Sequence, residues 1–430
     1  LLVIVHEGGH FFFARLFKIR VEKFYIFFDP WFSLFKYKPK NSDTEYGVGW
    51  LPLGGYCKIS GMIDESMDTE QMKQPAQPWE FRSKPAWQRL LVMIGGVLMN
   101  FLLALFIYSM ILYTWGDSYI ALKDMHYGMK FNERAQQIGF RDGDILLSAD
   151  GVPFERYGMD MIRGIAEARQ VKVQRDGKEV TVYMPEISLI ELAQEVPLFV
   201  DILVPNVVDS VMPGEAFAKA GIQKGDSLLA VNKTSIHSWN EFLGQMEGLK
   251  ENAESKQEKT ATFSLVYSRA GVKDTVQIQT NENFKVGVAA APLDYKATVH
   301  QYGFFESFPA GVTLGINTMK GYVNDLKYVF TKEGAKSVGG FASIGSIFPK
   351  VWDWERFWSM TAWLSIILAV MNILPIPALD GGRLVFLIWE AITHKPVPPE
   401  KEGMVHFIGL VFFMVLMVFL LFNDLVNIFG

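Results

Sequence analysis

Residues 1–17 read LLVIVHEGGHFFFARLF and place a charged, polar pentad inside an apolar run. The pentad HEGGH at 6–10 has the HExxH spacing, which on a helix projects both imidazoles from one face with the carboxylate beside them. That geometry suits a zinc ion, with Glu7 as general base. A soluble zinc enzyme or a chance match would show the same five letters. Because charged residues are costly inside a membrane span, the apolar context favours a functional site.

The composition points to a membrane protein. Half of the 430 residues are hydrophobic and 14% are aromatic, which is rich for a soluble chain of this length. The net charge of −5, with acidic and basic residues interspersed, excludes the basic surface that nucleic-acid binding needs. Cys57 is the single cysteine, which excludes an internal disulfide framework and a cysteine-based zinc site. Because the chain opens on Leu1 within an apolar run, we expect the natural start to precede it.

Four segments are candidate membrane spans, since about 20 apolar residues cross a hydrocarbon core of roughly 30 Å. They lie at 1–17, 89–115, 357–392 and 405–429. The intervening segment at 18–88 is basic at both margins, and the positive-inside rule assigns such a loop to the cytoplasm. The short basic connection between the third and fourth spans lies two crossings away and shares that side. Residues 116–356 are therefore expected outside the cytoplasm.

The external segment contains an internal repeat. It reads AQQIGFRDGDILLSADGVPF at 135–154 and AFAKAGIQKGDSLLAVNKTSI at 216–236. Each copy predicts a short helix ending in glycine, a Gly-Asp turn and an apolar strand, followed later by a hairpin. The pattern resembles tandem PDZ domains, which we expect at 116–195 and 196–295. An amphipathic linker is predicted at 296–356.

A second polar position interrupts the third predicted span. Asp380 lies in MNILPIPALDGGR, where Pro375 and Pro377 remove backbone donors and Gly381-Gly382 permits a sharp turn. Irregular backbone at membrane depth is tolerated only beside protein or a water-filled cavity. An acid at such a break indicates a metal or substrate site, although a helix-capping aspartate is the alternative. Gly95, Gly96 and Asn100 lie in the second predicted span. They could serve close helix packing or belong to the site, and the sequence favours neither role.

The two motifs together resemble the site-2 protease family. HExxH in the first span and NxxPxPxLDGG at 372–382 match the two motifs of that family in residue type and order. The four spans with a PDZ-like insert resemble the family's bacterial type. The fold expected is a polytopic α-helical membrane protein with about four transmembrane helices, a membrane-associated β-structure after the first span and two inserted α+β PDZ-like domains.

The resemblance also implies the chemistry. It implies an intramembrane zinc metalloprotease in which His6, His10 and Asp380 bind zinc and Glu7 activates water. Asn372, with the bends at Pro375 and Pro377, would help to hold the substrate. The family's substrates are single-span membrane proteins already shortened by another protease, such as anti-sigma factors or remnant signal peptides. The expected location is the bacterial inner membrane, with the PDZ-like domains outside the cytoplasm as a substrate filter.

The substrate helix must be unwound before it can be cut, because its peptide groups are hydrogen-bonded internally. An exposed strand edge would supply alternative partners. The glycine-rich segment at 46–51 lies between the first two spans and resembles the family's membrane-associated β-structure, so Val48, Gly49 and Trp50 are predicted to bind substrate. The alternative is an interfacial loop anchored by Trp50 and Tyr56.

Two other classes of protein remain open from the sequence. A transporter would also place ionisable residues and broken helices in the membrane, but it would not need HExxH beside a tandem PDZ pair. A noncatalytic PDZ scaffold would normally have lost Glu7 or a metal ligand, and all of them are present. Stoichiometric bound zinc would favour the protease.

Overall fold

The computed structural model describes residues 1–62, 74–329, 331, 340, 345, 347–349, 351–395 and 397–429. These residues form two compact units. The first consists of Leu1–Asp117 with His300–Gly430, and the second is Ser118–Val299. The second unit is thus inserted between two parts of the first, and each unit is described by itself below.

The helices and strands are numbered in chain order. The helices are α1 (Leu2–Leu16), α2 (Ala86–Thr114), α3 (Glu133–Ile138), α4 (Met159–Glu167), α5 (Leu189–Gln194), α6 (Ala216–Lys219), α7 (Trp239–Ser255), α8 (Phe304–Val329), α9 (Trp354–Ile373), α10 (Asp380–Thr393) and α11 (Pro399–Phe429). The strands are β1 (Val21–Tyr37), β2 (Glu45–Ile59), β3 (Asp117–Tyr119), β4 (Met129–Phe131), β5 (Ile145–Ala149), β6 (Val152–Pro153), β7 (Gln170–Arg175), β8 (Lys178–Tyr183), β9 (Val200–Ile202), β10 (Val208–Val211), β11 (Ser227–Val231), β12 (Thr234–Ser235), β13 (Thr262–Arg269), β14 (Val272–Gln279), β15 (Val288–Ala290) and β16 (Thr298–His300).

The first unit contains the apolar helices. Among the described residues, three helical stretches are long and apolar enough to cross a membrane, at Ala86–Thr114, Trp354–Ile373 and Lys401–Asn423. Helix α1 is also apolar but covers 15 residues, so a span at 1–17 stays a prediction. Part of the predicted linker at 296–356 is the 26-residue helix α8. The predicted cytoplasmic and external linkers also include residues 63–73, 330, 332–339, 341–344, 346 and 350, which lie outside the described residues.

The third predicted span is two helices rather than one. Helix α9 ends at Ile373, and α10 begins at Asp380 after a non-helical connection. Pro375 and Pro377 cannot donate a backbone hydrogen bond, which ends the helix at this point. The expectation of one helix over 357–392 was therefore wrong, whereas the break beside Asp380 is present.

Strands β1 and β2 form one antiparallel sheet in which both strands turn back. Residues 45–48 of β2 pair with 23–26 of β1 on one side and with 35–37 on the other, while 55–59 pair with 21–26. The order of segments across the sheet is therefore 55–59, 21–26, 45–48 and 33–37. Val48 lies opposite both Ile26 and Phe35, so it is in the interior of the sheet and not at an exposed edge.

Helices α1 and α2 cross at glycines. A Cβ on Gly9 would collide with the carbonyl of Gly95, and a Cβ on Gly95 would lie 2.7 Å from the carbonyl oxygen of Gly9. Glycine at both positions lets the two backbones approach to direct contact. The two helices also share a hydrophobic core with the start of β1, the end of β2 and helix α10. This core includes Ala14, Val21, Ile59, Val92 and Leu384.

The second unit contains two copies of one arrangement. The four-stranded sheets β6-β5-β7-β8 and β12-β11-β13-β14 have the same strand order. In the first copy the buried carboxylate of Asp144 accepts hydrogen bonds from Arg175, and in the second Asp226 accepts them from Arg269. These aspartates belong to the two Gly-Asp turns of the sequence repeat.

The two copies meet later in the chain than expected. Strand β9 pairs with β4, and this pairing places residues 200–202 in the first copy. The boundary predicted from the sequence, at 195/196, lies before β9. Strand β9 is about 70 residues from β4 in the chain, so no local pattern indicates that the two strands pair. Helix α5, in the segment before β9, buries Leu189 and Leu192 and is in contact with α4.

Candidate metal centre

Three side chains from two distant parts of the first unit converge on one point. His6 and His10 project from adjacent turns of α1, and Asp380 stands at the start of α10. The His6 and His10 Nε2 atoms are 3.3 Å apart, and they lie 3.1 Å and 3.2 Å from Asp380 Oδ2. All three side chains are largely enclosed, with exposed fractions of 13%, 8% and 16%.

The donor atoms fit a tetrahedral metal ion. Zinc bonds of about 2.0–2.1 Å to nitrogen and oxygen separate neighbouring ligand atoms of a tetrahedron by roughly 3.3 Å, which matches all three separations. Asp380 Oδ2 is buried and has no hydrogen-bond partner among the described residues. His10 Nδ1 lies 2.8 Å from the carbonyl oxygen of Val92, and donation there leaves the Nε2 lone pair directed at the cluster. A cation satisfies three such atoms.

Helix α2 forms one wall of the cluster. A Cβ on Gly96 would lie 2.5 Å from His10 Nε2 and 2.7 Å from His6 Cε1, so the imidazoles occupy the space beside this glycine. Asn100, one turn further on, is fully buried, and its Nδ2 is 3.5 Å from His6 Nδ1. The sequence left open whether this segment serves helix packing or the site. Gly95 packs against α1, whereas Gly96 and Asn100 lie beside the histidines of the site. Val92 was missed, because a main-chain carbonyl leaves no mark in the sequence.

The turn before α10 holds Asp380 in place. Ala378 has φ +81°, an uncommon conformation for a residue with a side chain. A Cβ on Gly381 would collide with the main chain of Ile373 and Leu374, so the chain can fold back against the end of α9 only with glycine there. The Gly381-Gly382 pair thus permits the sharp turn that the sequence predicted.

The cluster opens into a cavity of about 310 Å³. Glu7 lines the same cavity as the three converging side chains, and so do Asn372 and Arg383. Strand β2 also contributes to the wall, through Gly54, Gly55, Tyr56, Cys57 and Ile59. A Cβ on Gly55 would lie 2.7 Å from Val3 and 3.5 Å from Glu7 Cγ. This part of β2 therefore passes directly beside the HExxH helix.

The residues predicted to bind substrate separate into two groups. Asn372 lines the cavity, whereas Pro375 and Pro377 do not; Pro377 packs instead against Gly409 of α11. Val48, Gly49 and Trp50 are also absent from the cavity wall. The expectation that this segment offers an exposed edge was wrong, because Val48 and Gly49 are paired within the sheet and Trp50 donates to the carbonyl of Pro30.

Comparison with known proteins identifies the family. The model of peptidase family M50 matches residues 1–416. The chain is 31% identical to the regulator of sigma E protease of Haemophilus influenzae over 98% of this chain and 96% of the relative. It is 25% identical to a putative zinc metalloprotease of Thermotoga maritima, over 100% of this chain and 97% of the relative. It is 27% identical to protease RseP of Yersinia pestis, over 99% and 96%.

The family match runs from the HExxH helix through α10, so it covers every side chain of the converging cluster. Relatives of nearly equal length carry the names zinc metalloprotease and regulator of sigma E protease. These names confirm the predicted family, enzyme class and metal. The chain belongs to peptidase family M50, the site-2 protease family, and is a zinc metalloprotease of the membrane.

Proposed function

We propose that this protein hydrolyses peptide bonds within the transmembrane segments of other membrane proteins. The observation that carries the proposal is the convergence of two imidazoles and one carboxylate at tetrahedral spacing, with Glu7 in the same cavity. His6, His10 and Asp380 would hold the zinc ion. Three protein ligands with one position left for water is the pattern of catalytic rather than structural zinc sites.

Glu7 would act as the general base and acid. When bound, zinc activates a water molecule and polarises the scissile carbonyl. The Glu7 carboxylate would take the proton of the attacking water and deliver it to the leaving amide nitrogen. Its place in the HExxH spacing directs it into the cavity without making it one of the three converging ligands.

The substrate would lie along the β2 segment at 54–57. This segment replaces Val48 to Trp50 in the proposal because it forms the cavity wall beside Glu7. A substrate helix has to lose backbone hydrogen bonds to expose its scissile peptide, and unreplaced bonds cost several kcal/mol in an apolar setting. Extended contact with 54–57 and the Asn372 carboxamide would supply replacement partners. Pro375 and Pro377 would act indirectly, by ending α9 so that Asn372 and Asp380 face the cavity.

The substrates and the topology follow from family resemblance and charge. We propose single-span proteins already shortened by another protease, either of the anti-sigma factor type or remnant signal peptides. The protein would lie in a bacterial inner membrane with the active site toward the cytoplasm. The two copies of the second unit would be PDZ-like domains on the opposite side, where they would exclude substrates with bulky external domains.

Metal analysis combined with a cleavage assay tests the proposal. Purified protein should contain one zinc ion per chain and cut a single-span model substrate within its apolar segment. A chelator should remove both zinc and activity, and added zinc should restore them. Protein that contains no zinc, or that cuts only the soluble flanks of the substrate, would contradict the proposed function.

A further inference from the structure

The two histidines of the cluster are supported differently by helix α2. Metal binding through Nε2 leaves the proton on Nδ1, and that N–H needs an acceptor to fix the tautomer and the orientation of the ring. For His10 the acceptor is the main-chain carbonyl of Val92 at 2.8 Å. This bond comes from the backbone, so it survives any substitution of the Val92 side chain.

His6 has a side chain in the corresponding position. Its Nδ1 faces the carboxamide of Asn100, with 3.5 Å between Nδ1 and Nδ2. Two donors cannot hydrogen-bond to each other when Nδ1 carries the proton. The other carboxamide atom, Asn100 Oδ1, is buried and has no hydrogen-bond partner among the described residues. A half-turn of the carboxamide exchanges the two atoms and presents Oδ1 to His6.

We propose that Asn100 is a positioning residue for the metal centre: its Oδ1 accepts the His6 Nδ1–H and thereby aligns His6 Nε2 with His10 and Asp380. The inference rests on the proposed metal-binding role of His6. It assigns to each histidine one acceptor on α2, a carbonyl for His10 and a carboxamide for His6. Helix α2 would thus order the centre without contributing a ligand.

The surroundings indicate that the carboxamide is there for its polarity. Asn100 has an exposed fraction of 0%, and a buried carboxamide carries a desolvation cost that an apolar side chain such as leucine would not. The hydrogen bond from Ser365 Oγ goes to the Asn100 main-chain oxygen and does not depend on the side chain. The described contacts therefore assign the carboxamide one polar neighbour, His6.

The test compares Asn100→Leu, Asn100→Asp and a control in the full-length protein. The control is Ser109→Ala, also buried on α2, whose hydroxyl donates to the Leu105 carbonyl of the same helix and, among the described residues, to no other group. Zinc affinity is measured by chelator competition, and the geometry of the centre is followed by the visible spectrum of the cobalt-substituted protein. Loss of an outer hydrogen bond typically weakens metal binding by roughly 10- to 100-fold, and we expect a loss of that size with an altered cobalt spectrum in Asn100→Leu.

Asn100→Asp keeps an acceptor at the same reach, so it should restore the parent cobalt spectrum and most of the affinity, while Ser109→Ala should match the parent protein. Parent affinity and spectrum in Asn100→Leu would overturn the inference while leaving the proposed function intact. Parent protein that binds no metal would instead reject the proposed function. If Asn100→Leu does not fold, Asn100→Ser, which is too short to reach His6, takes its place, and equal binding by the Ser and Asp variants would reject the inference.

Discussion

Lys130 of the first copy in the inserted unit donates a hydrogen bond of 2.6 Å to Glu241 at the start of α7 in the second copy. The two side chains are largely enclosed, with exposed fractions of 17% and 27%. The neighbouring Asn240 accepts from the main-chain nitrogen of Val204 and donates to the carbonyl of Ile202. The end of the first copy is therefore fastened to the first turn of a helix in the second.

Replacing Lys130 with methionine should loosen this connection. An enclosed ion pair loses more than an exposed one when a partner is removed, because the remaining charge stays partly desolvated. We expect a cost of about 1–2 kcal/mol in the local opening free energy of residues 200–211, measured by hydrogen exchange. Lys224→Met is the control, since the Lys224 side chain in its pair with Asp209 is 77% exposed, and it should change the same opening free energy by less than about 0.5 kcal/mol.

The same ion pair should depend on pH. Burial opposes the charge of Lys130, but hydrogen bonds to Asp142 and Glu241 outweigh it and raise the pKa of Lys130 above its ordinary 10.5. Burial also opposes the charge of Glu241, yet the bonds from Lys130 and His237 lower the pKa of Glu241 below 4.5. The stabilisation is therefore complete between these two values, and it falls as the pH drops below 4.5 or rises above 10.5. The difference between parent and Lys130→Met should shrink on acidification, and a constant difference down to pH 3 would contradict it.

Glu7→Gln should abolish cleavage while zinc stays bound. Glutamine keeps the size of the side chain but cannot accept the proton of the attacking water, and loss of a general base commonly costs 10²- to 10⁴-fold in rate. Zinc content and turnover of a single-span substrate are measured on the same preparation. Retained turnover would show that another group is the base.

Asp380→Ala should deplete zinc as well as activity. Two imidazoles alone leave a tetrahedral site incomplete, and the alanine variant keeps the Leu379 and Gly381 backbone around the turn. Zinc stoichiometry after dialysis against a weak chelator gives the readout. Full occupancy with parent activity would mean that a different residue completes the site.

Asn372→Leu should impair substrate use without loss of zinc. Asn372 lines the cavity but is not one of the three converging side chains. Loss of a hydrogen bond to the substrate costs about 1–2 kcal/mol, or roughly 5- to 30-fold in kcat/KM. Stable helical substrates should suffer more than substrates with glycine near the cut, because they need more help to unwind. Val48→Leu is the control outside the cavity, and an equal loss in both variants would argue against a specific role for Asn372.

The inserted unit is predicted to select substrates by size. Replacing residues 120–297 by a short flexible linker removes both copies whole and leaves no unpaired half-sheet behind. The shortened protein should still cut a substrate with a short external segment and should newly cut one with a bulky external domain. A variant that contains zinc but cuts neither substrate would contradict the filter.

The local parts of the metal centre could be read from the sequence. The four-residue spacing of His6 and His10 fixes their common face once α1 is helical, because helix geometry leaves no other arrangement. The prolines and glycines around Asp380 mark a break for equally local reasons. Pairing α1 with α10 needed the family resemblance, since no local rule joins segments so far apart in the chain.

The β-structure could not be read in the same way. Strand β1 turns back near Phe27 and Trp31, which have φ +68° and +73°. Bulky aromatic residues rarely adopt positive φ, and no glycine announces the turn. The sequence therefore predicts an exposed edge at 46–51 without the segment at 33–37, which pairs with that edge. The order of the segments in this sheet depends on pairing between residues distant in the chain. Local sequence patterns carry little information about that order.

The separation of the proposed metal ligands along the chain has a consequence for biosynthesis. About 370 residues lie between His10 and Asp380, so a ribosome delivers the HExxH helix to the membrane long before it delivers the carboxylate. Until α10 follows, the nascent chain holds two imidazoles and a base but no complete centre. If His6, His10 and Asp380 hold the zinc as proposed, a chain that ends before Asp380 lacks one of the three ligands and should not cut membrane proteins.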